Sequence, residues 1–379
     1  MNMKDKGTLR AATFDDCVEA TALLVRLGLT MPEGDEAIRA YFNNLWNTNP
    51  AIQAAKSNPA LGWVLEDAGK MVGFFGNVPL LYEFAGQPLI VSVASLWGVD
   101  ENYRTEAPRL ADAYFGQTNV DLLMVTTAIK PTRRIFERHG ASMVAQPDLD
   151  QVLFWVIDGG GFVRAGLRKK GHGGMASFFG GILGGMVLNA RLRLFGRRPF
   201  AALDGITIIR PDEIDAGFDD LWRRKCGEYP ARVLANRSAA ALKWHFSVGL
   251  FSEHTRLICL RGPGEDGGKL EGYAVLVRED APEIGLKRLK IADVFVAGDD
   301  AAAVSALLAA AYEYGLAQRC HVLEVIGLPE NLRAAVKTHK PLERPMPTFP
   351  FFYKAVNPDL TAPLAQADGW YMTPYDGDS

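Results

Sequence analysis

Glu83 and Asp100 are the side chains best suited to accept a proton, directly or through water, with Glu83 ranked first and Glu101 standing beside Asp100. A carboxylate serves as a base near neutrality only when burial raises its pKa, so the structure has to supply that burial. The six histidines, His139, His172, His245, His254, His321 and His339, follow no ligand spacing, and no metal site is expected. Cys17, Cys226, Cys259 and Cys320 are far apart, with no Cys-x-x-Cys pair. They suggest neither zinc nor a disulfide framework, and a reducing, cytoplasmic setting is the default. No Gly-x-Ser-x-Gly elbow or Ser-His-Asp order occurs, which disfavours a hydrolase.

The elements that must position these groups fall into two similar series. The first opens with a strand over Thr8–Ala12 and a helix capped by Thr13, with Asp15 and Asp16 in its first turn. Gly62–Glu66, Met71–Phe84 and Leu89–Val99 then read as an antiparallel three-strand meander with turns at 67–70 and 85–88. A helix carrying Leu110, Ala113 and Tyr114 follows, then a strand at Leu122–Thr127, a helix at Pro131–His139 and a closing strand at Gln151–Ile157.

The second series repeats that order about two hundred residues later. It has a strand at Gly205–Ile209, helices around Phe218–Trp222 and Ser238–Phe246, and a meander at Thr255–Leu260, Lys269–Arg278 and Leu286–Val296. A helix carrying Val304, Leu307, Leu308, Ala311 and Tyr312, a strand at His321–Ile326, a helix at Glu330–Thr338 and a strand at Phe349–Ala355 complete it. A duplicated domain accounts for this better than a short repeat. The expected organisation is one domain over 1–158, a linker over 159–203 and a second domain over 204–379.

The linker holds twelve glycines, eight Lys or Arg and no acid. Its apolar centre, Met175–Ala190, is flanked by basic residues. It reads either as a connector packed on one domain or as an element that contacts a membrane surface through 171–198, with Phe178, Phe179, Ile182 and Leu183 turned inward. Its glycines argue against a stable isolated helix. No apolar run reaches the roughly 18 to 20 residues of a membrane span, and Met1–Arg10 lacks the apolar core of a signal peptide. The expected location is cytoplasmic, with peripheral contact at the inner membrane face left open. Lys and Arg total 41 against 44 acids, so no nucleic-acid partner is expected.

Val99-Asp-Glu-Asn-Tyr103-Arg104, at the end of the third meander strand, and Ile135-Phe136-Glu137-Arg138-His139-Gly140 resemble two segments of the GNAT acyl-CoA N-acyltransferase superfamily. The order of elements resembles it too. The fold class this implies is α/β (α+β), with two tandem GNAT-like domains, each a mixed twisted sheet flanked by helices. Arg237-Ser-Ala-Ala-Ala-Leu-Lys243-Trp244-His245-Phe246 resembles a helix of bacterial GNAT-like proteins of surface polysaccharide or lipid modification.

The resemblance implies acetyl-CoA or a longer acyl-CoA as co-substrate, held by the first domain, and a small-molecule or lipid-linked acceptor. Leu96, Trp97, Gly98, Val99 and Thr126 would line the pantetheine, with Ser95 and Thr127 nearby. Arg104, Thr105, Ala107 and Arg109 would lie at the pyrophosphate. Ala107 and Arg109 stand where the family has glycines, and Pro108 removes a donor, so Arg109 would act by charge rather than through a backbone nest.

Phe136 takes the place of the family's proton-donating tyrosine. The second domain ends its meander in Val296-Ala-Gly-Asp299-Asp300, whose carboxylates repel a pyrophosphate. The activity implied is acyl transfer to an amine or hydroxyl. A catalytically silent binding protein and an aminoacyl-tRNA-dependent transferase are the alternatives. The C-terminal Trp370, Tyr371 and Tyr375 look built to dock, placing Asp376, Asp378 or the terminal carboxylate over a groove between the halves or on the surface.

Overall fold

Both meanders form where the residue pattern places them. In a computed structural model that describes residues 7–55, 58–126, 132–171, 174–194, 198–199, 201–202, 204–247, 252–264, 268–346 and 351–377, side chains 174–178 and 193 excepted, the chain builds two mixed sheets. The first half supplies β1 (Thr8–Ala11), β2 (Gly62–Asp67), β3 (Lys70–Phe84), β4 (Gln87–Val99), β5 (Leu122–Val125), β6 (Ser142–Met143) and β7 (Gln151–Val156). The second supplies β8 (Ile206–Ile209), β9 (Leu234–Ala235), β10 (Thr255–Arg261), β11 (Leu270–Arg278), β12 (Arg288–Val296), β13 (Val322–Ile326), β14 (Leu342–Pro345) and β15 (Phe352–Ala355). The β2–β3 and β3–β4 hairpins turn on Ala68–Gly69 and Ala85–Gly86, all four at positive φ, which suits the right-handed twist of the flanking strands.

Each sheet takes strands from the other half, β15 and the short β9 in the first sheet and β7 in the second. The first runs β1-β2-β3-β4-β5-β15-β6, with β9 added at β3. The second runs β14-β7-β13-β12-β11-β10-β8. The strands expected to close their own halves therefore cross over. Gln151–Val156 lies between β13 and β14, and Phe352–Ala355 lies between β5 and β6. The exchange satisfies each strand's ladder as well as a local return would, and it joins the halves through backbone hydrogen bonds. One continuous core follows, in which Val91, Met124 and Trp155 from the first half meet Leu323, Trp370 and Tyr371 from the second.

Helices absent from the sequence reading cover part of the first sheet. Asp35–Phe42 and the π-turn Asn43–Asn47 bury Ile38, Phe42 and Trp46 with Phe74, and Pro50–Ala54 follows, capped by Asn49. The linker is also helical, as Gly159–Lys169 and Gly174–Leu194. Its glycines form the contact between these two helices. A Cβ on Gly185 would come within 2.5 Å of the Gly160 Cα, and one on Gly184 within 3.0 Å of Val163. Leu188 and Leu192 pack with Phe162 onto Phe154, Val156 and Val322 of the second sheet.

Candidate functional site

Among the described residues, the parallel strands β4 and β5 pair from Val91–Leu122 to Ala94–Val125 and no further. There β4 changes register against β3: Gly76 faces Ser95 while Phe75 faces Trp97, leaving Leu96 as an extra residue at φ 52°. Such a bulge bends its strand and sharpens its twist, and among the described residues the pairing of β4 with β5 stops here, making a fork. Asp100 donates its N–H to Val72 O, 2.8 Å. By the alternation of an antiparallel ladder, the N–H groups of Trp97 and Val99 then point away from β3, toward the β5 side.

At the fork, the Tyr114 hydroxyl lies 2.8 Å from Ser92 O and 2.7 Å from Met124 O, and accepts the Met124 N–H at 3.1 Å. Asn77, Ser92 and Gln117 form a buried chain beside it. The Ser92 hydroxyl donates to Asn77 Oδ1 (2.6 Å), and Gln117 donates to Ser92 Oγ (2.9 Å). An aromatic wall continues outward, with Phe75 between Tyr114 and Trp97, and Phe136 and Phe352 behind.

Of the residues expected at a cofactor, Trp97 has the most telling environment. It stacks on Phe75 at 4.8 Å, and its buried Nε1–H has no hydrogen-bond partner among the described residues. Leaving such a donor unpaired costs about 1–3 kcal/mol, which a ligand carbonyl would recover. Val99 packs beside Trp97, while Leu96 turns to the other face, with Leu27 and Phe74. Gly98 lies under the helix Cys17–Arg26, where a Cβ would come within 2.6 Å of Leu27 Cδ1; its lack of a side chain serves helix packing. Thr126 is buried at the end of β5, and Thr127 lies outside the described residues.

The segment expected to meet phosphates is a 3-10 turn over Glu101–Glu106 leading into the helix Ala107–Phe115. Arg104 is exposed, 3.6 Å from Glu101. Arg109 bonds to Glu106 (3.0 Å) and to Gly7 O (3.2 Å), so its charge is largely spent within the protein. Glu106 is buried at the helix start and is 3.3 Å from Thr105 Oγ1. Ala107 sits at the first position of that helix, and Pro108 next to it lacks a donor.

Glu83 and Asp100, paired as candidate bases, stand at opposite ends of the β3–β4 ribbon. Eleven residues separate Glu83 from Val72, the partner of Asp100, or roughly 36 Å at about 3.3 Å per residue. Glu83 lies by Leu234 at the seam between the halves, where burial and its own charge push the Cys226 thiol up. Asp100 faces Arg26 at 3.4 Å at the fork end. No one site uses both. Phe136 is buried in the core, and His139 stacks on Phe115, 3.3 Å from Asp112, with burial holding its imidazole below the usual range.

The second half repeats the fork and fills it. Pairing of β12 with β13 ends at Ile291–Val325, and the register slips between Val275–Asp293 and Leu276–Ile291, leaving Ala292 extra. Into this opening comes the C-terminal segment. The Tyr371 hydroxyl donates to Val294 O (2.5 Å), Leu328 N–H donates to Met372 O (3.1 Å), and Gln146 clasps the Met372 backbone from the far side (2.8 and 2.9 Å). Arg237, fully buried, bonds to Asp293 (2.9 and 3.2 Å), Thr373 (3.2 Å), Asp376 (3.2 Å) and Ala235 O (3.0 Å). Asp376 is thus an internal ion-pair partner, unavailable to a cationic acceptor. Asp378 and the terminal carboxylate lie outside the described residues.

A carboxylate also occupies the junction of strand and helix in this half. Asp299 at φ 51° is held by Lys225, Arg232 (3.1 Å) and Asn331 (2.8 Å), and these partners keep its carboxyl below the ordinary range against the pull of burial. Asp300 caps the helix Ala301–Ala317 through the N–H groups of Ala302 and Ala303. The tail thus takes up Val294 O and Leu328 N–H in this opening, and Asp299 occupies the junction of strand and helix.

No protein-family model matches the chain, and no curated protein matches it. Solved structures do. A probable N-acyltransferase from Enterococcus faecalis V583 aligns with a TM-score of 0.56 at 10% identity, over 93% of this chain and 73% of that one. A GCN5-related N-acetyltransferase from Anabaena variabilis ATCC 29413 aligns with a TM-score of 0.56 at 11% identity, over the same shares. An N-myristoyltransferase from Saccharomyces cerevisiae with bound myristoyl-CoA aligns with a TM-score of 0.53 at 11% identity, over 94% of this chain and 80% of that one.

Proposed function

We propose that this chain, whose fold is the tandem GNAT-type fold, is an acyl-CoA-dependent acyltransferase that uses only its first half to hold the acyl-CoA. The observation that carries this reading is the contrast between the two forks. The second is filled by Tyr371–Thr373, whereas in the first the β4 edge beyond Ala94 has no sheet partner on the β5 side among the described residues.

A pantetheine arm laid along that edge would meet the N–H groups of Trp97 and Val99 and the orphan Nε1–H of Trp97. The same backbone donors would stabilise the oxyanion that develops at the thioester carbonyl. Arg104 at the mouth would offer its guanidinium to the phosphates, from the surface rather than from a backbone nest. Asp100 is the acid nearest the fork, but it is part-exposed and faces Arg26 at 3.4 Å, so it lacks the burial that a carboxylate base requires. The incoming amine or hydroxyl would lose its proton to water or to another group.

Isothermal titration of the full chain with acetyl-CoA and myristoyl-CoA, followed by a free-thiol assay with amine and alcohol acceptors, tests the reading. Binding of at least one donor, weakened about tenfold or more by Arg104→Glu, is expected, since reversing one charge at a phosphate costs on the order of 1.4 kcal/mol or more. No binding to either donor by folded protein would sink it. Tight binding with no thiol released by any acceptor would favour a silent binding protein, for which the burial of Phe136 is the supporting observation.

A further inference from the structure

The linker hairpin exposes apolar side chains along one side of its second helix. Among the described side chains of Gly174–Leu194, the exposed apolar ones are Phe179, Ile182, Leu183, Met186, Val187 and Leu194, between 41% and 84% accessible. Their spacing of three and four residues places them on one face, opposite Gly181, Gly185, Leu188 and Leu192, which pack inward. The stripe runs about 22 Å at about 1.5 Å per residue. A continuous exposed apolar stripe of this kind marks an interaction surface, whereas single exposed apolar residues do not.

Charge identifies what covers it. Residues 159–203 contain no acid, and Arg168, Lys169, Lys170 and Arg191 are exposed at the ends of the hairpin. A second copy of this chain related by a two-fold axis would bring these like charges together, which opposes a symmetric dimer through the stripe. An anionic bilayer surface would satisfy both parts at once, with apolar side chains entering the acyl boundary and cations at the headgroups. No helix among the described residues is long and apolar enough to cross a membrane, so the contact would lie in the plane of the surface.

We propose that the hairpin Gly159–Leu194 docks this protein onto an anionic lipid surface. The inference is independent of acyl transfer and would stand if no acyl-CoA bound. The test is co-sedimentation of the full chain with phosphatidylcholine vesicles, with and without about one third phosphatidylglycerol. Binding to the anionic vesicles that weakens with salt is expected. Leu183→Glu with Val187→Glu should lower the partition coefficient about tenfold or more, with far-UV circular dichroism and thermal midpoint unchanged. Lys169→Glu with Lys170→Glu should remove the preference for anionic lipid. Wild-type protein left in the supernatant with both vesicle types would overturn the proposal. So would an unchanged partition of the Leu183→Glu/Val187→Glu protein, or a dimer that these substitutions dissolve without any vesicle binding.

Discussion

Replacing Arg237 by methionine removes the cation that holds the C-terminal segment in the second fork. Its guanidinium makes five hydrogen bonds of 2.9–3.2 Å to Asp293, Thr373, Asp376 and Ala235 O, with every partner side chain buried. Methionine fills much of the volume but leaves two carboxylates uncompensated, and breaking a buried ion pair on one side costs about 3–5 kcal/mol. Against a typical total of about 5–15 kcal/mol, that is a large share of the protein's stability.

The sign of the pH dependence follows from Asp376. Burial holds its carboxyl above the ordinary 3.8 even with Arg237 present. A carboxyl raised in the folded state adds stability below its unfolded value and loses it as pH rises through the folded value. Without Arg237 the folded value climbs further. The deficit should therefore be greatest near neutrality and shrink as pH falls towards 4. Guanidinium unfolding followed by tryptophan fluorescence at pH 7 and pH 5 measures it. Asp376→Asn added to Arg237→Met should recover part of the loss, as expected for coupled neighbours. A loss under about 1 kcal/mol, or a deficit that grows on acidification, would refute the ion-pair argument.

Two further substitutions separate binding from folding. Trp97→Phe keeps the stack on Phe75 but removes the orphan donor, so acyl-CoA affinity by titration should fall about three- to tenfold while the unliganded stability holds or rises. Equal affinity in both proteins would remove Trp97 Nε1 from the ligand site. Gly185→Val drives a side chain into the Gly160 backbone and should cost about 1–3 kcal/mol in urea unfolding; no loss would mean that the two linker helices do not pack as closely as described.

Much of the architecture was legible because the patterns are local. The meanders announce themselves by alternation and turn residues, and Leu96–Val99 falls at the fork because the chain turns there into a helix. Partner choice was not legible. Gln151–Val156 and Phe352–Ala355 are good strands in either sheet, and period-two patterning specifies a face without naming a neighbour.

Asp35–Phe42 was missed although Ile38, Phe42 and Trp46 repeat every four residues, a signal that was there to be used. The linker glycines counted against a helix because propensity prices an isolated segment, whereas here they permit close contact between two helices. Asp376 could not be assigned to Arg237, 139 residues away, from spacing at all. Glu83 ranks ahead of Asp100 by sequence, but the length of β3 sets the two far apart and puts Asp100, not Glu83, at the fork.

Hydrogen exchange by mass spectrometry, with and without myristoyl-CoA, tests the asymmetry between the halves most directly. Amides of Ser95–Asp100 and Leu122–Thr126 should gain protection on adding ligand, while Ile291–Val296 and Tyr371–Asp376 should be protected already and stay unchanged. Ligand-dependent protection at the second fork, or none at the first, would contradict the account.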